Sequence, residues 1–217
     1  LRGQGFTQAV NFSFVSGRLW EKHAALLGFD PEDALRLRNP ISEDTTLMRP
    51  HLLTGLLRNV SDNVRRFVED VRLFEAGNAY GKSDEKGHYQ EPRPGLVLSG
   101  RRNPRGWSGG PVPADFYDLK GVVESLLAHI GAGPAHVVPT RGRPFLSEGK
   151  AADVLLSGEE VGWLGAVRRE LLDEFDLAGP VFYAEIRIQA VLSVRPAAGS
   201  YRPLPKFPPV FRDVACV

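Results

Sequence analysis

Residues 39–80 read NPISEDTTLMRPHLLTGLLRNVSDNVRRFVEDVRLFEAGNAY, and this stretch decides the fold. Its apolar residues recur three and four positions apart, which is the spacing of one face of an α-helix. They are Leu53, Leu56, Leu57, Val60, Val64 and Phe67. Pro50 suits a first helical turn, because that turn has no use for the missing N–H. The sequence therefore predicts an amphipathic helix that begins near residue 50.

The apolar period changes directly after this helix. From Val71 onward it is two, with Val71 and Leu73 on one face and Phe74 on the other, and Gly77 then allows a turn. A strand is expected to follow the helix almost without a linker.

Further elements are predicted on both sides of this helix and strand. Helices are expected at 20–27, stopped by Gly28, at 116–130, capped by Asp115, and at 168–175. Strands are expected at 10–14, 35–37, 95–100, 136–139, 153–156, 161–167 and 181–188, with a polar hairpin tip at 81–94. Hairpins dominate the connections, so we expect an α+β fold, a mostly antiparallel sheet flanked by helices that lie on one face.

Composition excludes several classes of protein. With 217 residues, 42% of them apolar and 24% charged, the chain can bury a sizeable core. A net charge of +1 gives no general field for nucleic acid. The single cysteine, Cys216, rules out an internal disulfide framework, and no apolar run approaches membrane length. The first residue, Leu1, and the last, Val217, predict a fragment of a longer protein.

Four stretches together resemble the beta chain of bacterial phenylalanyl-tRNA synthetase. They are NPISEDTTLMRPHLLTGLL (39–57), DVRLFEAGNAY (70–80), DFYDLKGVVESLL (115–127) and PKFPPVFRDVACV (205–217). The resemblance implies a core like a class II synthetase catalytic domain at 1–193, in a copy that has lost catalysis. Residues 194–217 would then be a linker and the first strand of a truncated, ferredoxin-like anticodon-binding domain.

The same resemblance implies roles for particular residues. The helix at 50–67 takes the place of the motif 1 helix, so its stripe Leu53, Leu56, Leu57, Val60 and Val64 is expected to form a subunit interface. The strand at 71–77 takes the place of motif 2, with Glu75 at the acidic position and Leu73 where an active enzyme has an arginine. An isobutyl group cannot make the bidentate phosphate contact of a guanidinium. The strand at 183–192 takes the place of motif 3 without its glycine series, and Arg187 is the candidate for its arginine.

The implied function is that of a structural module in a heterotetramer that attaches phenylalanine to tRNA. Its partners would be the catalytic alpha chain and a second beta chain, in the cytoplasm. ATP and magnesium would serve the full complex, and none would bind to this fragment. The segments of the family that carry a magnesium site and editing have no counterpart in these residues.

Two alternatives stay open at this level. The chain could be an active adenylate-forming ligase that uses Glu75 and Arg187, although Leu73 speaks against it. It could also contact tRNA through Arg101, Arg102 and Arg105 beside Trp107, since arginines meet phosphates and an indole can stack on a base. The five histidines show no metal-ligand spacing, and a metal site is not expected.

Overall fold

The computed structural model describes residues 1–82, 87–103, 110–194, 206–208, 210 and 212–215. Its α-helices are α1 (Gly17–Leu27), α2 (Leu53–Val64), α3 (Phe116–His129), α4 (Arg169–Asp173) and α5 (Ile188–Ser193). Its strands are β1 (Thr7–Gln8), β2 (Phe14–Val15), β3 (Leu47–Met48), β4 (Val71–Gly81), β5 (Tyr89–Ser99), β6 (His136–Pro139), β7 (Leu146–Leu156), β8 (Glu159–Val167) and β9 (Val181–Ile186).

The strands form a seven-stranded sheet in the order β1-β4-β5-β9-β8-β7-β6, and β2 pairs with β3 in a separate ribbon. Within the sheet β1 runs parallel to β4, and the other neighbours are antiparallel. The predicted α+β class with a mostly antiparallel sheet is confirmed.

The helices cover both faces of the sheet, so the prediction that they lie on one face was wrong. Successive side chains of a strand point to opposite faces, and along β5 they enter two separate clusters. Val97 joins the core under α1 and α2, whereas Leu96 and Leu98 join the core under α3 and α5. We call the first of these the α2 face of the sheet.

Helix α2 has the predicted amphipathic pattern but ends earlier than expected. Leu53, Leu56, Leu57 and Val60 are buried against the sheet. After Val64 the chain turns, with Phe67 in the left-handed region at φ 64° and the Val68 amide donating to the Asn63 carbonyl at 3.0 Å. Phe67 was predicted to belong to the buried stripe and is instead 94% exposed.

Other boundaries also differ from the sequence predictions. The expected strand at 10–14 is absent except for Phe14, and Val10 and Phe12 are exposed. The expected hairpin tip at 81–94 is shorter, because β5 begins at Tyr89 and pairs with β4 along its whole length. Strand β9 ends at Ile186 and is followed by α5, so the motif 3 strand does not run to residue 192.

Several predictions are confirmed. Helix α1 ends at Gly28 with φ 71°, and Asp115 caps α3 by accepting from the Tyr117 amide at 2.8 Å. Strands β7 and β8 form the predicted hairpin around Ser157 and Gly158. The domain boundary after residue 193 stays a prediction, because residues 195–205 lie outside the described residues.

Candidate functional site

The strand positions matched to the nucleotide site lie on the α2 face of the sheet. Leu73 and Glu75 are two residues apart on β4, and in the register of the sheet Glu75 is opposite Gly95, which is opposite Glu185. Trp163 of β8 is next in this row. The row therefore crosses the centre of the sheet.

Glu75 is buried, and both of its carboxylate oxygens have partners. Oε1 accepts from Arg49 Nη1 at 2.6 Å and from the Asn11 amide at 3.3 Å, and Oε2 accepts from Asn11 Nδ2 at 2.8 Å. Arg49 also donates through Nε to the Asn78 carbonyl at 3.0 Å. Glu75 is thus a structural acid that ties the segment before α2 and the segment after β1 to β4.

Glycine is required at position 77 because of this pair. A Cβ at Gly77 would collide with Arg49 Nη2, which passes over the strand at that point. The glycine of the predicted motif 2 strand therefore makes room for the guanidinium that neutralises Glu75. The turn expected at Gly77 from the sequence was a wrong prediction, since the residue lies inside β4.

A second charged group lies beside the first. Arg93 is buried and forms ion pairs with Glu91 at 2.6 Å and with Glu185 at 3.1 Å. The Tyr183 hydroxyl donates to Glu185, and the Leu52 amide donates to the same carboxylate at 3.3 Å. Burial opposes the charge of Arg93, but the carboxylates of Glu185 and Glu91 prevail and raise the pKa of its guanidinium.

The candidate motif 3 arginine belongs to this second group. Arg187 is the residue before α5, and its Nε lies 3.1 Å from Glu91 Oε1. It thus shares Glu91 with Arg93. The glycine series that would admit a nucleotide beside it is missing, as the sequence indicates.

An aromatic ring completes the cover of the α2 face. Trp163 is buried, with the Arg93 guanidinium 5.6 Å and the Arg143 guanidinium 4.2 Å from its ring. Both distances allow cation–π attraction. Arg143 is held in turn by Asp153 at 3.2 Å and Glu160 at 2.6 Å. Side chains of the protein therefore fill the centre of this face.

The residues of this face do not fit ATP. A triphosphate needs cationic groups that are free to contact it, but Arg49, Arg93 and Arg143 are each paired with carboxylates of the chain. Leu73 brings no charge. Among the residues that the structure describes, no group of three or more His, Cys, Asp or Glu side chains could hold a metal ion.

Most of this network was not predicted from the sequence. Arg49, Arg93, Glu185 and Trp163 were not singled out. One signal was available, because Glu185 stands within the apolar strand VFYAEI and a buried acid needs a partner. Its partner Arg93 is 92 positions away and could not be identified without the strand order.

The predicted interface stripe lies inside the chain. Leu53, Leu56, Leu57 and Val60 pack against the chain's own sheet and are at most 1% exposed, so they cannot present a surface to another subunit. Amphipathicity shows that a face must be covered but not what covers it. Val64, at 36% exposed, is the accessible member of the set.

The arginines proposed for RNA are occupied where the structure describes them. Arg101 Nε lies 2.9 Å from Asp70 Oδ2, and hydrogen bonds from this guanidinium hold the pKa of the Asp70 carboxyl below its usual value. Arg102 contacts Asp115 and Asp118, each at 2.7 Å. Arg105 and Trp107 lie outside the described residues.

A groove of about 910 Å³ opens on the other side of α2. The segment 10–15, α1 and the polar side of α2 line it, and Phe12, Trp20 and Arg58 are among its residues. It reaches the network of the α2 face at Asn11 and Arg49, which line the groove and also bind Glu75. No helix in the described part of the chain is long and apolar enough to cross a membrane.

Comparison with known proteins identifies the family. The sequence model for the phenylalanyl tRNA synthetase beta chain CLM domain matches residues 1–188. The phenylalanine–tRNA ligase beta subunit of Anaeromyxobacter dehalogenans is 39% identical over 225 residues, which cover 100% of this chain and 27% of that protein. The beta subunit from Geobacter sulfurreducens is 36% identical over 221 residues, which cover 98% of this chain and 27% of that protein. The chain thus spans about a quarter of the length of these relatives.

Solved structures show the same fold at low identity. The pyrrolysyl-tRNA synthetase of Desulfitobacterium hafniense superposes with a TM-score of 0.67 and 17% identity, over 89% of this chain and 62% of that one. A second structure of that enzyme gives the same score at 16% identity. The fold is that of a class II synthetase core.

Proposed function

Because the chain belongs to the phenylalanyl-tRNA synthetase beta chain family, we propose that it is a non-catalytic module of a phenylalanine–tRNA ligase. It has the framework of a synthetase core and uses that framework to hold an assembly together. Activation of phenylalanine with ATP, and its transfer to tRNA, belong to another chain of the complex.

One observation carries this proposal: the α2 face, where a nucleotide would lie, is filled by paired charges. Leu73 stands at the position of the phosphate-binding arginine. Glu75 is neutralised by Arg49 at 2.6 Å, and Arg93 is neutralised by Glu91 and Glu185. A buried ion pair cannot be opened for a ligand without leaving an uncompensated charge, which is costly. The buried ion pairs therefore keep this face rigid.

The same network explains what the face contributes to the module. Asn11 and Arg49 both bind Glu75, and the Leu52 amide binds Glu185. These contacts fix the segment after β1 and the segment just before α2 to the middle of the sheet. Hydrogen bonds to charged groups contribute more than neutral ones. The result is a stiff support that presents the outer side of α2 and the segment 10–15 to other chains.

The proposed partners follow from the names of the relatives, which are beta subunits of a ligase for phenylalanine and tRNA. A beta subunit implies an alpha chain, and we place the catalytic site, with its ATP and magnesium, on that chain. The assembly is a heterotetramer with a second beta chain in the cytoplasm. Of the interface residues proposed from the sequence, Val64 stays a proposed contact.

The test is assembly with the alpha chain from the same source. Light scattering after size exclusion is run on this chain alone, on the alpha chain alone and on a mixture. A stable mixed complex is expected, and its mass gives the stoichiometry. The control replaces the alpha chain with the catalytic chain of a different synthetase, which should leave both components separate.

Two outcomes would count against the proposal. If the folded chain and the alpha chain stay apart at about 50 μM each, well above a micromolar Kd, these residues do not supply the assembly contact. If the chain binds both catalytic chains equally, the association is unspecific. Circular dichroism on each sample establishes that the components are folded.

A further inference from the structure

Glu185 is an acidic residue that is completely buried in the centre of the sheet. It lies on β9 with a relative exposure of 0%, within the otherwise apolar stretch VFYAEI. An isolated carboxylate is so unfavourable away from water that a buried one is normally paired and hydrogen-bonded. The donors around Glu185 therefore show what kind of site surrounds this side chain.

Three donors from three parts of the chain converge on this carboxylate. Arg93 Nη1, from β5, donates to Oε1 at 3.1 Å. The Leu52 amide, at the residue before α2, donates to Oε2 at 3.3 Å, and the Tyr183 hydroxyl donates to the same oxygen. Both oxygens are thus bound, one by a cation and the other by an amide and a hydroxyl. Donors of these kinds bind the carboxylate of a free ligand in the same way.

Contacts other than those with Glu185 hold two of these donors in place. Arg93 donates to Glu91 Oε2 through Nε at 2.8 Å and through Nη2 at 2.6 Å, so Nη1 is the nitrogen that points to Glu185. The Leu52 carbonyl accepts from the Leu56 amide at 3.1 Å, at the start of α2. The arrangement of these donors therefore does not depend on the Glu185 side chain.

The charges of this group balance only when Glu185 is counted. Arg93 and Arg187 share the carboxylate of Glu91, from which Arg187 Nε lies 3.1 Å away. Without Glu185, both guanidinium groups would depend on that one carboxylate, and an excess positive charge would lie beside the vacated space. An anion bound in this space would restore the balance, whereas a neutral molecule of the same shape would not.

We propose that Arg93, Tyr183 and the Leu52 amide form a binding site for a small monocarboxylate, which the chain fills with its own Glu185. The side chain acts as an internal ligand, so the original chain has no room there for a free acid. Truncation of Glu185 at Cβ frees the space of its Cγ and carboxyl atoms, and formate and acetate match that space in shape and charge. The inference concerns the inside of the α2 face and does not rest on assembly with an alpha chain.

Rescue of Glu185→Ala by added carboxylates tests the site. The variant leaves Arg93 without one of its counter-charges and should unfold at a lower urea concentration than the original chain. Both proteins are titrated with urea in sodium formate, sodium acetate and sodium chloride, and circular dichroism follows unfolding. A ligand at about 0.5 M that binds only the folded state, with a Kd of about 10 mM, raises the folding equilibrium constant about fiftyfold. We expect a rise of this order for Glu185→Ala in formate or acetate, relative to chloride, and less than about twofold for the original chain.

Matched controls separate binding from a general effect of salt. Glu185→Gln removes the same charge but keeps the space filled, so formate and acetate should stabilise it no more than the original chain. Acetamide has the shape of acetate without its charge, and it should not rescue Glu185→Ala. Pivalate has the charge but carries a bulky tertiary butyl group, and it should fail because the surrounding core is closely packed.

The test also decides the question if Glu185→Ala is unfolded in chloride. Formate or acetate should then restore its far-ultraviolet circular dichroism, and a variant that stays unfolded in both overturns the inference. Equal stabilisation of Glu185→Ala and Glu185→Gln, or of Glu185→Ala and the original chain, overturns it as well, as does acetamide that works as well as acetate. Failure to assemble with the alpha chain removes the proposed function and leaves this inference standing.

Discussion

Arg49 and Glu75 form an ion pair at 2.6 Å in which both side chains are more than nine-tenths buried. The acidic member lies on β4, at the position that the resemblance to the family assigns to the motif 2 acid, and the basic member comes from the segment just before α2. The chain thus uses its own arginine to neutralise a carboxylate in the middle of the sheet. The pair therefore ties the segment just before α2 to β4, and both belong to the stretch 39–80.

Removing one partner of this pair should be costly. Glu75→Gln leaves the Arg49 guanidinium buried without a counter-charge, and breaking a buried pair in this way costs about 3–5 kcal/mol. We expect the free energy of unfolding, measured by urea titration, to fall by that amount.

The control for this substitution is Glu148→Gln, which removes the exposed partner of Arg141. Surface pairs contribute about 0–1 kcal/mol, so little change is expected. Equal effects of the two substitutions would show that Arg49 and Glu75 are not coupled in the way described.

Gly77 provides a second test of the same geometry. An added Cβ would collide with Arg49 Nη2, so Gly77→Ala should destabilise the fold by about 1–3 kcal/mol, as overpacked substitutions do. Gly121, in α3, has nothing within 4 Å of an added Cβ, and Gly121→Ala should stabilise by about 0.5–1 kcal/mol. Thermal or urea unfolding measures both. A Gly77→Ala variant as stable as the original would mean that Arg49 does not pass over β4.

Stability should depend on pH through His51. Burial, followed by the charges of Arg93 and Arg49, lowers the pKa of this imidazole from 6.5 to about 3. The unfolded chain therefore takes up a proton near pH 6.5 while the folded chain does not, so stability is lost as the pH falls below 6.5. The loss between pH 8 and pH 5 amounts to about 2 kcal/mol.

The contribution of His51 is isolated by substitution. The free energy of unfolding is measured at pH 8 and pH 5 for the original chain, for His51→Gln and for His136→Gln, whose histidine is exposed. Between pH 8 and pH 5, the free energy of unfolding of His51→Gln should fall by about 2 kcal/mol less than that of the original chain. His136→Gln should behave like the original. The same pH slope in all three proteins would rule out a neutral, buried His51.

Helices α1 to α4 could be predicted from the sequence, because each has a local signal, whereas α5 occupies residues that were expected to continue a strand. The spacing of Leu53, Leu56 and Val60 predicts α2, and Asp115 predicts the start of α3. The end of α2 could not be predicted in this way. Phe67 continues the apolar spacing of α2, yet its backbone lies in the left-handed region. Apolar spacing alone cannot distinguish a further helical turn from such a left-handed turn.

The residues of the candidate site could be identified only from the fold. Arg93 and Glu185 are 92 positions apart and meet only because β5 and β9 are neighbours in the sheet. The prediction of a strand at 10–14 was wrong for a similar reason. It alternates like a strand, but its Asn11 is drawn to Glu75 and Asn59, and its backbone does not continue the pairing of β1. Which strands pair depends on the fold of the whole sheet, so it cannot be predicted from the pattern of a single segment.

The alternative of an RNA contact gives a further prediction. Arg101 and Arg102 already pair with Asp70, Asp115 and Asp118, so they have few counterions to release on binding. Arg101→Ala with Arg102→Ala should change the Kd for tRNA by less than about twofold at 0.1 M salt. Filter binding measures it. If the double substitution instead weakens the affinity for tRNA tenfold or more, and more strongly at low salt, RNA binds to this loop.

The central claim is that the α2 face no longer binds a nucleotide, and exchange of pyrophosphate into ATP tests it most directly. The folded chain is assayed alone with each of the twenty amino acids, beside Leu73→Arg, which restores the arginine of the motif 2 pattern. We predict no exchange above background for either protein, because the paired charges around Glu75 and Arg93 fill the face. Amino-acid-dependent exchange by the chain, or its appearance in Leu73→Arg, would contradict the account.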